Sequence, residues 1–432
     1  FFLNPNPAGA ATPLPRHRTA SMSRWALWTF LVAPVAAMPH FDINLDLAPR
    51  QRWLEVTRYY RQEIVTMMDT WEAMLQATFQ PAEKADWLRY GTEKSEEYQE
   101  ELLGIYEELG SNLSFSLDTL NLFNLLYEMG SPTVAQACSG LLAADVNGKV
   151  IHGRNMDYEF LFKMPDGSIK DWPEVTFEAY FWKGGQRIFM GIQWPLYVGV
   201  HTAMRFNGWS FEQNTRLGMN DPQLNLESAK GGGKAYGFLV RKLMETIPDF
   251  ETALSTINAT SFLAPQYFVL AGAKPFEGAV ISMDRFSAQS LSATPPVRRF
   301  SDSGGPWFLL QTNDDANKFP LDHRRPMTST VLAMHGQQDV SINFVWEIVH
   351  NFPLKNFMSV FTWVAVPSTN YSQAVLRGED PVLEEENTVT LHDAPETEEV
   401  QLLQRFLRRY GAKGRRHVIS QEGLLLQFPE LP

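Results

Sequence analysis

The apolar pattern of this chain changes period once, near Pro132, and that change restricts the architectures open to it. Across residues 52–79, Trp53, Val56, Tyr60, Ile64, Met67, Met68, Trp71, Met74 and Leu75 recur at a spacing of three to four, which predicts a helix. Residues 86–109 form a charged helix-like stretch. Residues 116–129 read as a further helix, opened by Ser116 or Asp118 and stopped by Gly130 and Pro132. Beyond Pro132 the runs are short, with Gly, Asn and Asp at the breaks. Residues 139–145, 149–154, 174–182, 187–194 and 267–284 read as strands, and 235–246, 249–258 and 341–352 as helices. The reading is therefore α+β: a helical segment followed by a mixed one, with the boundary at the only cysteine, Cys138.

A chain of 432 residues with one cysteine can form no intrachain disulfide. That thiol matters because the N-terminus reads as a secretory signal, and secreted chains of this size often carry disulfides. Arg24 precedes an apolar run, 25–37, that closes on Val35, Ala36 and Ala37 and is short for a membrane span. Residues 1–21, rich in Pro and Ala, read as an upstream extension, with Met22 a candidate start. Sequons at Asn112, Asn258 and Asn370 fit the same route and predict glycosylation there. The net charge of −12 argues against nucleic acid as partner, since phosphate binding needs a basic footprint. Residues 379–399 are acidic and read as a solvated linker; 402–416 are basic with Leu and Phe interleaved, and 379–432 as a whole read as a poorly ordered tail.

Around Cys138 the sequence suggests a hairpin. Asn147-Gly148 suits the positive φ angles of a two-residue type I′ turn, and folding back there sets Cys138 opposite Asp157. On that register Arg154 has the wrong parity and needs a bulge to reach the same face. A thiol with a carboxylate and a guanidinium nearby is a reactive grouping, because an adjacent cation favours thiolate. The alternative is an Arg–Asp ion pair beside an inert buried thiol.

These residues carry a family resemblance. Cys138-Ser139, Ala144-Asp145 and the run Ile151-His152-Gly153-Arg154-Asn155-Met156-Asp157-Tyr158 resemble the nucleophile hairpin of the acid ceramidases and N-acylethanolamine-hydrolysing acid amidases. So do Ile43-Asn44-Leu45-Asp46-Leu47-Ala48-Pro49 with Arg52-Trp53, the run Phe262-Leu263-Ala264-Pro265-Gln266-Tyr267-Phe268, Glu277-Gly278, Asp284-Arg285, Gln311-Thr312-Asn313-Asp314 and Leu321-Asp322-His323-Arg324-Arg325. The match runs with gaps from about 40 to 378. It implies a precursor that cuts itself between Ala137 and Cys138. The products are an α subunit at 38–137 and a catalytic β subunit at 138–378, joined as an α/β heterodimer. It implies the αββα sandwich of N-terminal-nucleophile hydrolases. Cys138 is implied as nucleophile and, through its freed α-amine, as general base. Arg154 and Asp157 are implied to position it, Asn313 to supply an oxyanion donor, and Arg324 to complete the polar shell. The implied substrate is a lipid amide at a membrane surface, with a lipid carrier as candidate activator, in a lysosomal or secreted setting.

No metal or cofactor is expected: the chain has no His-Glu-x-x-His, and Gly231-Gly232-Gly233-Lys234 lacks the spacing of a phosphate loop. Asp302-Ser303-Gly304-Gly305-Pro306 looks like a serine-protease segment, but the helical first half and missing partner motifs exclude that fold. One departure bears on activity. The segment 210–216 resembles a family stretch with glutamate just before the arginine; here Thr215 stands there, and Glu212 is nearby with opposite strand parity. An inert, lipid-binding relative is the reading this change would favour. Met156 and the Leu-Ala-Pro segment favour ceramide over N-acylethanolamines, and Tyr158, Phe160, Leu161, Phe162 and Trp194 are candidates to line an acyl channel.

Overall fold

The computed structural model describes residues 38–130, 136–287, 296–301, 304–315 and 322–383. The signal reading at 25–37, Asp302 and Ser303 of the serine-protease-like segment and all but the start of the acidic tail lie outside them.

The helical segment is more broken than its periodicity predicts. The stretch read as one helix from 52 divides at Tyr60 into α1 (Leu54–Tyr59) and α2 (Arg61–Thr78). Then come α3 (Pro81–Asp86), a single π turn at Trp87–Gly91, and α4 (Glu96–Leu109). Helix α5 (Leu117–Phe123) starts where Ser116 accepts the Thr119 N–H, so Ser116 rather than Asp118 is its cap. Ahead of all of these lies β1 (His40–Asn44), a strand that the sequence pattern did not suggest.

The remainder supplies two sheets. The larger contains β1, then β6 (Phe177–Lys183), β7 (Gln186–Gln193), β8 (Thr202–Arg205), β9 (Trp209–Thr215), β10 (Gln266–Gly272), β11 (Gly278–Met283) and β12 (Val297–Arg299), in that order. The smaller, in spatial order, has β13 (Phe308–Gln311), β2 (Gln136–Ala144), β3 (Val150–Tyr158), β14 (Ser359–Val366) and β15 (Tyr371–Leu376). A small ribbon, β4 (Phe162–Lys163) with β5 (Ile169–Lys170), lies apart.

The two sheets pack face to face. Leu142, Ala144 and Val150 of the smaller sheet share a core with Val269, Ala271 and Val280 of the larger. Helices α9 (Arg324–Met334) and α10 (Ile342–Val349) cover the outside of the smaller sheet, where Gly153 leaves room for Val345 and Val349. Helices α7 (Tyr236–Thr246) and α8 (Phe250–Asn258) cover the larger, and α6 (Pro222–Lys230) precedes them. This is the four-layer αββα arrangement.

The segment before Cys138 is built into this body. Strand β1 pairs in parallel with β6, His40 to Asn44 against Glu178 to Trp182. Buried Glu101 on α4 gathers four donors: Arg52 Nη1 at 2.8 Å, Trp53 Nε1 at 2.6 Å, and Arg241 Nη1 and Nη2 at 2.5 and 2.7 Å. Arg241 belongs to α7, beyond Cys138, so this carboxylate ties the two segments together. Removing one partner of a buried ion group leaves the others uncompensated. Glu101→Ala should therefore lower the unfolding free energy by about 3–5 kcal/mol, read from urea melts. A loss under ~1 kcal/mol would show that the network contributes little.

Candidate active site

The hairpin holding Cys138 is in a different register from the one the Asn-Gly pair suggests. Cys138 pairs with Met156, and Asp157 pairs with Ala137. The loop comprises Val146, Asn147 and Gly148, closed by Gly148 N–H to Asp145 O at 2.9 Å and Asp145 N–H to Lys149 O at 3.0 Å. Only Gly148 has positive φ, +83°; Asn147 does not, so this is no type I′ turn but a longer loop ending on a left-handed glycine. Asp145 Oδ1 fixes that choice by accepting the N–H groups of Asn147 and Lys149, both at 2.9 Å. The added loop residue shifts every pair by one. Arg154 consequently shares the inter-sheet face with Cys138 and Met156 and needs no bulge, while the Asp157 side chain lies on the opposite face.

Asp157 still meets the site, by another route. Its carboxylate accepts Ser359 Oγ at 2.5 Å and Asn356 Nδ2 at 2.7 Å, and lies 3.7 Å from Arg324 Nη1. Its backbone N–H hydrogen-bonds the Cys138 thiol. Arg324, at the start of α9, donates to Cys138 O at 3.0 Å and to Asn313 Oδ1 at 3.0 Å, and is anchored on Asp322. Asn313 Oδ1 also accepts the Cys138 N–H at 2.6 Å, while its Nδ2 donates to Thr215 O at 2.9 Å. Arg154 donates through Nη1 to His201 O at 2.9 Å and through Nη2 to Met156 Sδ at 3.5 Å, and the Cys138 thiol contacts the same sulfur at 3.8 Å. Thus the other four residues singled out in the sequence converge on Cys138. Asn356, Ser359, Asp322 and Met156, which join them, were not singled out as site residues. The first two lie at and just before β14, a strand whose run of apolar residues gave no polar signal. Asp322 and Met156 were within quoted motifs.

Burial governs the electrostatics. Cys138 is 1% exposed, and burial pushes its thiol up to about 11 despite the lowering effect of Arg154. Burial also raises the Asp157 carboxyl to about 6, against the opposing hydrogen bond of Ser359 and the charge of Arg324. Glu128, at the end of the segment after α5, is raised to about 8 by burial. One of its oxygens accepts the Tyr236 N–H at 3.2 Å and the other has no partner.

A carboxyl with a raised pKa binds its proton more readily in the folded state, so it stabilises the fold at low pH and loses that contribution as pH rises through the folded value. For Glu128 the window runs from the ordinary 4.5 up to about 8. His201 and His350, both pushed down by burial, oppose this only below their ordinary 6.5. Thermal melts should therefore show stability rising as pH falls from 8 to 6.5. Glu128→Gln should abolish that slope and raise the melting temperature at pH 8 by several degrees. An unchanged slope would place the effect elsewhere.

The candidate channel residues lie in a packed aromatic cluster. Trp172 stacks on Trp194 at 3.8 Å and also meets Tyr158 and Phe160, and these rings are buried; Leu161 instead points to solvent. In this uncut chain they are core around Trp172 rather than the wall of an opening. The Thr215 hydroxyl lies with Gln213 on one face of β9, and Glu212 on the other, between the sheets. Among the described residues no cluster of His, Cys, Asp and Glu could hold a metal, and no helix is long and apolar enough to cross a membrane.

Known proteins resemble this chain over much of its length. Residues 36–95 match the family described as the beta subunit of N-acylethanolamine-hydrolyzing acid amidase; that lettering gives β to a segment before Cys138, where the α label was expected. The N-acylethanolamine-hydrolyzing acid amidase of Caenorhabditis elegans is 28% identical over 76% of this chain and 89% of its own. Human acid ceramidase is 28% identical over 76% of this chain and 82% of its own. A probable acid ceramidase of Caenorhabditis elegans is 29% identical over 78% and 85%. A solved structure of the Caenorhabditis elegans amidase ortholog is 26% identical, covers 54% of this chain and 93% of that one, and has a TM-score of 0.47. Over about three quarters of its length the chain is thus similar to the amide hydrolases named acid ceramidase and N-acylethanolamine-hydrolyzing acid amidase.

Proposed function

We propose that this chain cuts itself before Cys138 and then hydrolyses the N-acyl amide bond of ceramide through a cysteine acyl-enzyme. The observation that supports this most is the grip on Cys138. Its N–H is held by Asn313 and its carbonyl by Arg324, while the thiol is too enclosed to meet a lipid. Of the two amide bonds that flank Cys138, the preceding one is the bond whose carbonyl the thiol can attack through a five-membered ring, since attack on its own carbonyl would need a four-membered one. In the first step the thiol sulfur bonds to the Ala137 carbonyl carbon, the Ala137–Cys138 C–N bond breaks, and the thiol proton passes to the departing nitrogen. Water then hydrolyses the thioester, giving the Ala137 carboxylate and restoring the thiol.

The freed α-amine, already bonded to Asn313, has an ordinary pKa near 8 and can shuttle the thiol proton to the leaving amine of a substrate. The acyl-enzyme divides a difficult hydrolysis into two easier steps. Asn313 Nδ2 is the amide donor available to the developing oxyanion, in exchange for its Thr215 carbonyl partner. Arg324, Arg154 and Asp157 hold the nucleophile in place. N-acylethanolamines are the competing substrate class, favoured by the family match at 36–95. Both substrates carry a long acyl chain in amide linkage to an amino-alcohol, long-chained in ceramide and small in the N-acylethanolamines, so the enzyme works at a membrane surface or with a lipid carrier.

The test is intact mass before and after incubation at acid pH, followed by assay on ceramide and an N-acylethanolamine. A fragment beginning at Cys138 and release of fatty acid support the reading. A chain that stays whole and inert would favour the lipid-binding relative. The secretory and lysosomal placement has its own test. Asn112, Asn258 and Asn370 are exposed, so glycosidase treatment of protein made in a eukaryotic secretory host should increase its gel mobility. No shift would count against that route.

A further inference from the structure

Three fully buried polar side chains face one another between the sheets: Glu212 on β9, and His152 and Arg154 on β3. Glu212 Oε2 lies 3.6 Å from His152 Nε2 and 3.9 Å from Arg154 Nη1. Its Oε1 accepts Asn214 Nδ2 at 3.3 Å. Glu212 Oε2, His152 Nε2 and Arg154 Nε have no hydrogen-bond partner. Among the described residues Glu212 is the carboxylate within ion-pair distance of Arg154, which is otherwise held only by a carbonyl and a thioether. The facing strand is shaped around it: a Cβ at Gly140, two residues beyond Cys138 on the same face of β2, would overlap the Glu212 carboxylate.

We infer that Glu212 is a positioning residue for the nucleophile, acting through Arg154: it holds the guanidinium and sets the net charge beneath the Cys138 thiol. The inference rests on the reading of Cys138 as nucleophile. A buried guanidinium without a counter-ion is costly and would favour thiolate strongly; a carboxylate beside it offsets both effects. The thiol is faced also by Asp157 from β3, by Arg324 from α9 and by Tyr127, and Arg154 by His201. Of these, Glu212 is the anion that reaches the thiol's cation from the opposite sheet. It does not stand in for the glutamate that the family resemblance places at Thr215, because its side chain lies on the other face of β9.

The test uses the full chain and its self-cleavage rate from pH 4 to 9, read by intact mass, for wild type, Glu212→Gln and Glu212→Asp, with a melt of each variant. Glu212→Gln keeps shape and removes charge. The rising, thiolate-dependent limb of its profile should move about one pH unit to lower pH, the scale of one neighbouring charge at a buried site. Glu212→Asp keeps the charge, so its limb should stay at the wild-type position even where the rate falls. A Glu212→Gln profile at the wild-type position, with or without a lower melting temperature, would overturn the inference. So would equal displacement of both variants, which would mark an effect of shape. A wild-type chain that never cuts overturns the reading of Cys138 itself, and this inference with it.

Discussion

Cys138→Ala is expected to remain a single chain through prolonged incubation at acid pH and to release no fatty acid from ceramide or an N-acylethanolamine. Both losses should be complete within detection, because one sulfur is proposed to attack its own preceding carbonyl and later the substrate's. The fold should survive. Cys138 is a small buried residue whose backbone, not its side chain, makes the bonds to Asn313 and Arg324. Alanine keeps that N–H and carbonyl and removes a sulfur in contact with Met156 Sδ and with the Asp157 N–H. Loss of these two weak contacts should cost about 1 kcal/mol, the scale of small truncations in a core. The measurement is intact mass, lipid assay and a melt on the same sample. A folded variant that still yields a fragment starting at position 138 would remove the thiol from the first step. A variant that is supplied already cut and still hydrolyses amides would remove it from the second.

Much of this site could be read from sequence because its residues occur in short local runs. Cys138, Arg154 and Asp157 lie on one hairpin, and Asn313 and Arg324 in two tight motifs. The register of that hairpin was misread for a local reason. Asn-Gly is compatible with two loop lengths, and the choice was made by the Asp145 side chain bonding the N–H groups of Asn147 and Lys149. Such a bond is a property of geometry, not of the dipeptide. The polar support of Asp157 was hidden for a different reason. Asn356 and Ser359 are some two hundred residues away and reach Asp157 only because β14 pairs with β3. Strand β1 was missed because it forms by joining the sheet edge of β6, and nothing in five residues of mixed polarity specifies a distant partner. The tie between the segments is likewise nonlocal: Glu101 looks like one more charge on a solvated helix until Arg241 closes on it.

Asp157→Asn should slow self-cleavage and amide hydrolysis at pH 7 by at least about 10²-fold, the scale of a lost positioning group. The carboxylate accepts from Ser359 and Asn356 on one side and faces Arg324 on the other. An amide in its place can keep its oxygen toward Asn356 by turning its NH2 to the Ser359 hydroxyl, but in either orientation it offers Arg324 no charge. Arg324 then keeps only Asp322 as counter-ion and loses the anchor that holds it over the Cys138 carbonyl. The size of the loss should depend on pH. Burial raises the Asp157 carboxyl to about 6, so at pH 4.5 the wild-type residue is already mostly neutral and resembles asparagine in charge. The ratio of wild-type to variant rate should therefore shrink on going from pH 7 to pH 4.5. Stability should follow the same window. The raised carboxyl favours the fold below its ordinary 3.8, and that contribution is lost as pH rises through about 6, which Asp157→Asn removes. Rates at the two pH values, paired with melts, separate the cases. A constant large loss would mean that the carboxyl acts through hydrogen-bond geometry in either protonation state. Near-normal turnover at both would remove Asp157 from the site and leave Arg324 to be positioned by Asp322 alone.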